Sequence, residues 1–393
     1  MKTKTRRLVF AVLIIGYAVA VAAYILNMKS NHKDRYAVYI GGYGAAAVKC
    51  IFNPNTYELA TVRDFKADNP SYLAVSPSGG NIWGVSESGK NSGVWGYQDS
   101  ASVKSLGIVR DGGADPCHIM YYKGHLFTAN YGKGGISVYS LDTAGNINPP
   151  HQIINFVSPA APRTVSRNHQ VKIVTSAKSK TDYLLSADKG LDCIHIMRLD
   201  KDTSALCPEG LMNTVPLRLY KCDSALVNVP KGYGPRNFAL SADGRFLYLL
   251  CETSGHILVY SVSEAENNLI LTQLQDTLSD YSNAAASADL HISPDGRFLY
   301  ASHRRGKDGI AIFQIGANGL VSRIAFQVTD QWPRSFAITP DGEFMFVCCQ
   351  KDKSVQTFRI DRSSGYLINT GKKITFQDFE PSCVKVRLST SHT

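Results

Sequence analysis

Nine cysteines are present, but no two are spaced as Cys-x-x-Cys, so the usual signature of a thiol redox centre or zinc knuckle is missing. His-x-His and His-Glu-x-x-His are also missing, and no metal site is evident from spacing. There is no Gly-x-Ser-x-Gly elbow, which argues against a Ser/His/Asp hydrolase of the strand–turn–helix type. Gly41-Gly42-Tyr43-Gly44 is followed by neither a helix pattern nor Lys-Ser/Thr, so it is not a phosphate loop. Beyond the first 28 residues no stretch sustains the apolar periodicity of an amphipathic helix. No basic run is interleaved with aromatics, which excludes the common nucleic-acid footprint. Of the formal net charge of +10, the seven cations of residues 1–35 against Asp34 account for +6, leaving +4 for residues 36–393. A mildly positive body favours a small anionic substrate.

The N-terminus does carry a signal. Met1-Lys-Thr-Lys-Thr-Arg-Arg7 is followed by 21 uncharged residues, Leu8 to Met28. About 20 apolar residues span a bilayer as a helix. Ala20-Val21-Ala22 offers a cleavage site of the secretory kind, while Tyr24, Ile25 and Leu26 continue the apolar run beyond it. Residues 8–28 are therefore expected to be a transmembrane or signal helix. In both readings the basic flank stays in the cytoplasm and the body is exported, to a periplasmic or other extracytoplasmic location, and membrane-bound if the helix is uncleaved. Residues 1–35 form this segment and its polar linker; residues 36–393 form one domain.

That domain repeats itself. Gly234–Tyr260 reads as a strand, a Ser241-Ala242-Asp243-Gly244 turn, a second strand Phe246–Leu249, a polar turn after Glu252 and a third strand Ile257–Tyr260. Similar phrases begin at Pro70, Asp115, His169, His291 and Pro333. A period of roughly 45–65 residues marks a β-propeller or similar array. Six copies are visible, and Tyr36–Phe52 with Pro381–Leu388 make a split seventh that would close the ring and remove open sheet edges. The predicted fold is thus an all-β seven-bladed β-propeller behind an N-terminal helix. Asn146–Asn168 is expected to be irregular, Lys201–Tyr233 to add an outer strand and a loop, and Glu264–Ala288 to hold a helical turn or an extended hairpin. Most cysteines fall in apolar strands and are expected to be buried thiols. Cys207 and Cys222, in the longest insertion, are the candidate disulfide.

Four phrases carry a resemblance: DPCHIMYYKGHLFTANYGKGGISVY, GYGPRNFALSADGRFLYLLCE, ISPDGRFLYASHRRGKDGIAIF and WPRSFAITPDGEFMFVC. Over nearly all of residues 36–388 the chain resembles the seven-bladed lactonases, the family of propeller-type 6-phosphogluconolactonases and carboxy-muconate cyclases. The resemblance implies a cofactor-free site on the face where the blade-entry loops meet, built from a histidine, arginines and a glutamate. By match these are His169, Arg236, Glu252 and an arginine of the fifth visible repeat. Counting back from Gly306 favours Arg305 over Arg304 for that last position. Arg304, Arg334, His118 and His291 are the matching candidates for substrate binding. The family's His-x-His reads Arg167-Asn168-His169 here, Gly-Pro-Arg-His reads Gly-Pro-Arg-Asn237, and the Asp-Gly turn after His169 is replaced by Ala177–Lys180.

Lactone hydrolysis needs an activated water and positive donors where the oxyanion develops. Glu252 or His169 would take the water proton. Arg236 and Arg305 would hold the oxyanion or an acidic substituent, since guanidinium groups fit such oxygens bidentately. The plainer alternative is that Arg236 and Arg334 bond blade-end carbonyls while Glu252 neutralises Arg236. His118 and His291, each heading a strand, would then be structural, and Asp188 and Asp192 are read as turn acids. The expected activity is hydrolysis of a sugar lactone or related cyclic ester; the rival is a non-catalytic envelope propeller that binds a ligand or partner protein. Convergence of the glutamate and arginines on one point separates the two. The sequence carries no signal for an oligomeric state.

Overall fold

The computed structural model describes residues 36–112, 114–157, 165–201, 217–279 and 286–389. The expected helix over residues 8–28 and Cys207 lie outside the described residues, as does the side chain of Cys222. Within them, no helix is long and apolar enough to cross a membrane, and a 3-10 turn at Gly89–Asn91 is the helical element.

The strands form seven four-stranded antiparallel sheets. The last strand, Glu380–Leu388, pairs with the first, Tyr36–Tyr43, which continues through Ala46–Asn53 to Glu58–Lys66. The split blade is therefore present. The seven innermost strands are Tyr72–Val75, Pro116–Tyr122, Asn168–Thr175, Pro235–Leu240, Ser287–Ile292, Pro333–Ile338 and Glu380–Leu388, each packed beside the next and the last beside the first. The ring is closed, so blade-to-blade burial has no open end.

The core lies between blades. Tyr183 and Leu185 of one sheet pack with Leu247 and Leu249 of the next; Phe52 packs with Phe344 and Phe346 across the closing seam. Fully burying such a side chain contributes about 2 kcal/mol. All seven described cysteines are buried free thiols.

Polar latches supplement this packing. In four blades an aromatic donor on the second strand reaches a carbonyl in the outer turn of the following blade. Trp83 Nε1 donates to Gly145 O at 3.0 Å, Tyr183 to Asn267 O at 2.8 Å, Tyr248 to Gly319 O at 3.0 Å and Tyr300 to Gly365 O at 2.9 Å. The repeat that lost its Asp-Gly turn is repaired across a blade boundary. Ser176 Oγ caps the Lys178 and Ser179 amides and donates to Glu264 of the next blade.

Three expectations about connections resolve. Asn146–Asn168 is not irregular throughout: Ile147–Ile154 is an outer strand. Pro149 and Pro150 fit there because an edge strand needs fewer amide donors. Leu217–Asn228 is the expected outer strand of the long insertion. Of Glu264–Ala288, the described residues up to Leu278 belong to an extended hairpin of His256–Ala265 and Asn268–Leu278, the second of the two alternatives.

The latches predict unequal costs for two glycine replacements. Gly319 has φ +79°, and an added Cβ would stand 2.3 Å from Phe246. Gly371 has φ +70° with open space around it. Gly371→Ala should cost about 1 kcal/mol of unfolding free energy, and Gly319→Ala about 3 kcal/mol or more, read from denaturant midpoints. Equal costs would contradict the packed latch.

Candidate active site

Two rings of side chains meet at one mouth of the central channel, and sheet geometry fixes both. The first comes from a repeated irregularity. Near the start of six inner strands the pairing register slips and leaves unpaired Cys117, His169, Arg236, Ala288 (together with Asp289), Arg334 and Ser382. A bulge re-aims the side chain it carries. All six line one narrow cavity of about 20 Å³ in the channel, room for about one water molecule. The second ring is the residue just past the end of the second strand: Glu87, Tyr131, Lys189, Glu252, Arg304 and Gln350, with Tyr43 at the matching position of the closing blade.

Glu252 is the junction of the two rings. Its Oε2 accepts from Arg236 Nη1 at 2.5 Å and faces Lys189 Nζ at 3.1 Å. Its Oε1 accepts from Arg304 Nη2 at 3.1 Å. Each arginine is pinned a second time by a backbone carbonyl: Arg236 Nε donates to Ala288 O of the next blade's inner strand at 2.7 Å, and Arg304 Nε to Ala286 O, just before its own blade's inner strand, at 2.8 Å. The carbonyl anchoring foreseen in the plainer alternative is therefore real for Arg236. It leaves N–H groups on both forks for another acceptor.

Charge states follow from these contacts. Burial favours a neutral Glu252, but Arg236 above all, with Arg304 and Lys189, holds its carboxyl far below the usual range. His169 Nε2 stands 4.0 Å from Glu252 Oε2. Burial first, and then the charge of Arg236, drives the His169 pKa well below its ordinary value, so the ring is neutral at pH 7. Its Nδ1 is buried without a hydrogen-bond partner among the described residues. The Tyr131 ring meets His169 edge-on at 5.7 Å and lies beneath Arg167 at 5.0 Å. Burial pushes the Cys117 thiol up, which makes it a poor nucleophile.

The sequence-predicted residues divide. His169, Arg236 and Glu252 converge. The fifth-repeat arginine in contact with Glu252 is Arg304, not Arg305. Register is set by the end of the second strand at His303, not by Gly306. Arg305 is an exposed turn residue with φ +64°, over the Trp332 ring at 5.6 Å. Arg334 stands elsewhere on the same mouth, where Nη2 donates to Tyr43 Oη at 2.9 Å and Tyr43 donates to Glu87 at 2.9 Å. His118 lies deeper, against Tyr72 at 4.5 Å. His291 is not at this mouth: it faces Asp289 at 3.3 Å and lines the cavity at the other end.

Sequence reading missed Lys189, Tyr43, Glu87 and Tyr131. The signal was available for most of them, since Glu87 and Lys189 follow their second strands as Glu252 does. Asn237 donates to Asp289 Oδ1 at 2.7 Å and so belongs to the channel wall. Among the described residues, Asp188, Cys193 and His195 are spaced as metal ligands. Asp188, however, already accepts from Ser166 Oγ, from the Arg167, Gly190 and Leu191 amides, and lies 3.0 Å from His195. Burial raises the Cys193 thiol pKa. The group reads as a structural knot, as expected for Asp188. Asp192 is likewise a turn acid, accepting from the Gly232 and Gly234 amides.

Removing the Glu252 charge leaves two buried guanidinium groups uncompensated. Glu252→Gln should cost about 3 kcal/mol at neutral pH. The carboxyl is depressed in the folded state, so its contribution is complete above the unfolded pKa of about 4.3 and is lost as pH falls below it. Between about pH 5 and 3 the wild type should therefore lose more stability than Glu252→Gln. Parallel slopes in urea titrations across that range would contradict the assignment.

Comparison with known proteins places this geometry. The sequence model described as Lactonase, 7-bladed beta-propeller matches residues 37–386. A 6-phosphogluconolactonase of Formosa agariphila is 31% identical over 311 residues, 76% of this chain and 83% of that protein. A Bacteroides fragilis structure assigned as a 6-phosphogluconolactonase superposes with a TM-score of 0.79 at 29% identity, covering 90% of this chain and 98% of that one. The periplasmic gluconolactonase of Pseudomonas aeruginosa superposes at 0.77 with 26% identity, covering 90% and 100%. With its seven closed blades and a match across almost the whole domain, the chain belongs to the seven-bladed β-propeller lactonase family.

Proposed function

We propose that this protein hydrolyses a sugar lactone at the mouth of the channel, with His169 as base and Arg236 and Arg304 as oxyanion donors. The observation that carries this reading is the Glu252 carboxylate clamped between two doubly anchored guanidinium groups beside a neutral imidazole. A carboxylate so strongly depressed is a weak base, so Glu252 serves to position the arginines. Neutral His169 is the better proton acceptor.

Water oxygen adds to the lactone carbonyl carbon while its proton passes to His169. The carbonyl becomes an oxyanion, stabilised by the spare N–H groups of Arg236 and Arg304. Glu252, 4.0 Å away, stabilises the imidazolium that forms. Collapse breaks the ring C–O bond, and His169 returns the proton to the departing oxygen. The product is an open-chain hydroxy acid. Support for this substrate class comes from relatives named as 6-phosphogluconolactonase and gluconolactonase. The two names differ by a phosphate, and Arg334, Arg305 and Lys351 supply cations toward which an acidic substituent would be drawn. We further propose that residues 8–28 carry the domain out of the cytoplasm, on the strength of their uncharged run behind a basic flank.

The test is a lactone panel, phosphorylated and not, scored above spontaneous hydrolysis. His169→Ala should lower kcat by about 10²–10⁴-fold, and Arg236→Ala or Arg304→Ala by about 10²-fold or more. Because the His169 pKa is depressed, kcat/KM should hold as pH falls past about 6.5, where an ordinary histidine base would begin to fail. No hydrolysis above background, with these variants indistinguishable from wild type, would favour a binding propeller.

A further inference from the structure

The channel has a second mouth, and its charges are unlike those at Glu252. A cavity of about 660 Å³ opens there, at the C-terminal ends of the inner strands. That volume is in the range of small-molecule sites. Lys172, Lys385, Arg387, His118 and His291 line it, and no carboxylate is among the described residues that do. The small void near His169, about 20 Å³, lies between the two mouths, so a sugar-sized molecule does not pass through.

Two of these cations, Lys172 and Lys385, have no ion-pair partner among the described residues. Among the described residues, Lys385 Nζ contacts the Tyr72 hydroxyl at 3.2 Å and the Tyr72 ring face at 4.3 Å, and the Asp289 charge acts on it at longer range. Lys172 has no hydrogen-bond or ion-pair partner among the described residues, although it is partly buried. His118 is 6% exposed, and its Nδ1 is buried and unpartnered. Asp289, in the channel wall, is already engaged by Asn237, Ser335, the Leu290 and Phe336 amides and His291. Burial, and then the charge of Lys385, lower the Lys172 pKa, as expected where two ammonium groups share a recess; Lys385 itself is raised against the effect of burial, first by its contact with Tyr72. Uncompensated buried charge is costly and is ordinarily paired.

We propose that this second mouth binds a small organic polyanion bearing carboxylate or phosphate oxygens, held by Lys172 and Lys385 and independent of the lactonase site. A ligand of this kind supplies the missing counter-charge and, entering from the face opposite Glu252, leaves the catalytic mouth open.

Citrate and pyrophosphate are suitable probes, one carrying only carboxylates and the other only phosphates. The full chain in mild detergent would be titrated calorimetrically at constant ionic strength, alongside Lys172→Met, Lys172→Arg and Arg236→Ala. The expected result is a binding event that survives in Arg236→Ala, weakens by about tenfold or more in Lys172→Met and is restored in Lys172→Arg. Which probe binds more tightly identifies the preferred oxyanion. Without anion, Lys172→Met should melt at a higher temperature than wild type, because it removes an unpaired charge. With anion it should gain less, a pair of opposite signs that loss of packing alone would not give. Lactone kcat/KM of Lys172→Met should stay within about twofold of wild type. Binding that disappears in Arg236→Ala, or that Lys172→Met leaves unchanged, would overturn the proposal without touching the catalytic assignment.

Discussion

One carboxylate holds one mouth of the channel in shape. Glu252 divides its two oxygens between Arg236 and Arg304 and has Lys189 beside it. Each arginine spends a further N–H on a neighbouring backbone carbonyl. The guanidinium groups are therefore aligned before any substrate arrives, which is the condition under which buried donors accelerate a reaction. Burial first, and then repulsion from Arg236, keep His169 neutral. Structure and chemistry are coupled here: the carboxylate is too stabilised to be an effective base, and the imidazole is destabilised enough as a cation to remain an acceptor.

The propeller supplies this arrangement by repetition. Six of the seven blades offer two positions to the mouth, one at the bulge of the inner strand and one at the end of the second strand, while the Tyr72–Val75 blade has no bulge and offers Glu87. The backbone is common to the set, while the side chain varies from blade to blade. Cys117, Ala288 and Ser382 fill bulge positions with small groups, and His169, Arg236 and Arg334 place functional groups in the same geometry. The latches of Trp83, Tyr183, Tyr248 and Tyr300 act far out on the blades. They fix the angle between neighbours and hence the spacing of the rings.

The repeat made the fold legible. Alternating apolar residues around Asp-Gly turns recur often enough to count the blades, and the split seventh follows from the need to close the ring. His169, Arg236 and Glu252 were legible as a set because each sits at a fixed place in its phrase. Arg304 was misassigned because counting started from Gly306, a turn residue. Pairing, not the turn, sets which side chain faces the channel. His291 was grouped with the site because it heads a phrase, yet it comes three residues after the Ala288 bulge on its strand and belongs to the other mouth. Alternation in the sequence shows which face a strand residue occupies, but not its depth along the channel. Asn146–Asn168 was read as irregular because proline is a poor strand former, and that rule weakens at an outer edge.

The closing seam also gives the wheel a defined orientation. Tyr36 pairs with Leu388 and Tyr43 with Glu380, so the chain enters the domain on the Lys172 side and runs toward Glu252. A stalk attached before Tyr36 would hold the molecule from beneath, like a cup on its stem. The Glu252 mouth would then lie on the far side from such a stalk, and the Lys172 recess on the near side.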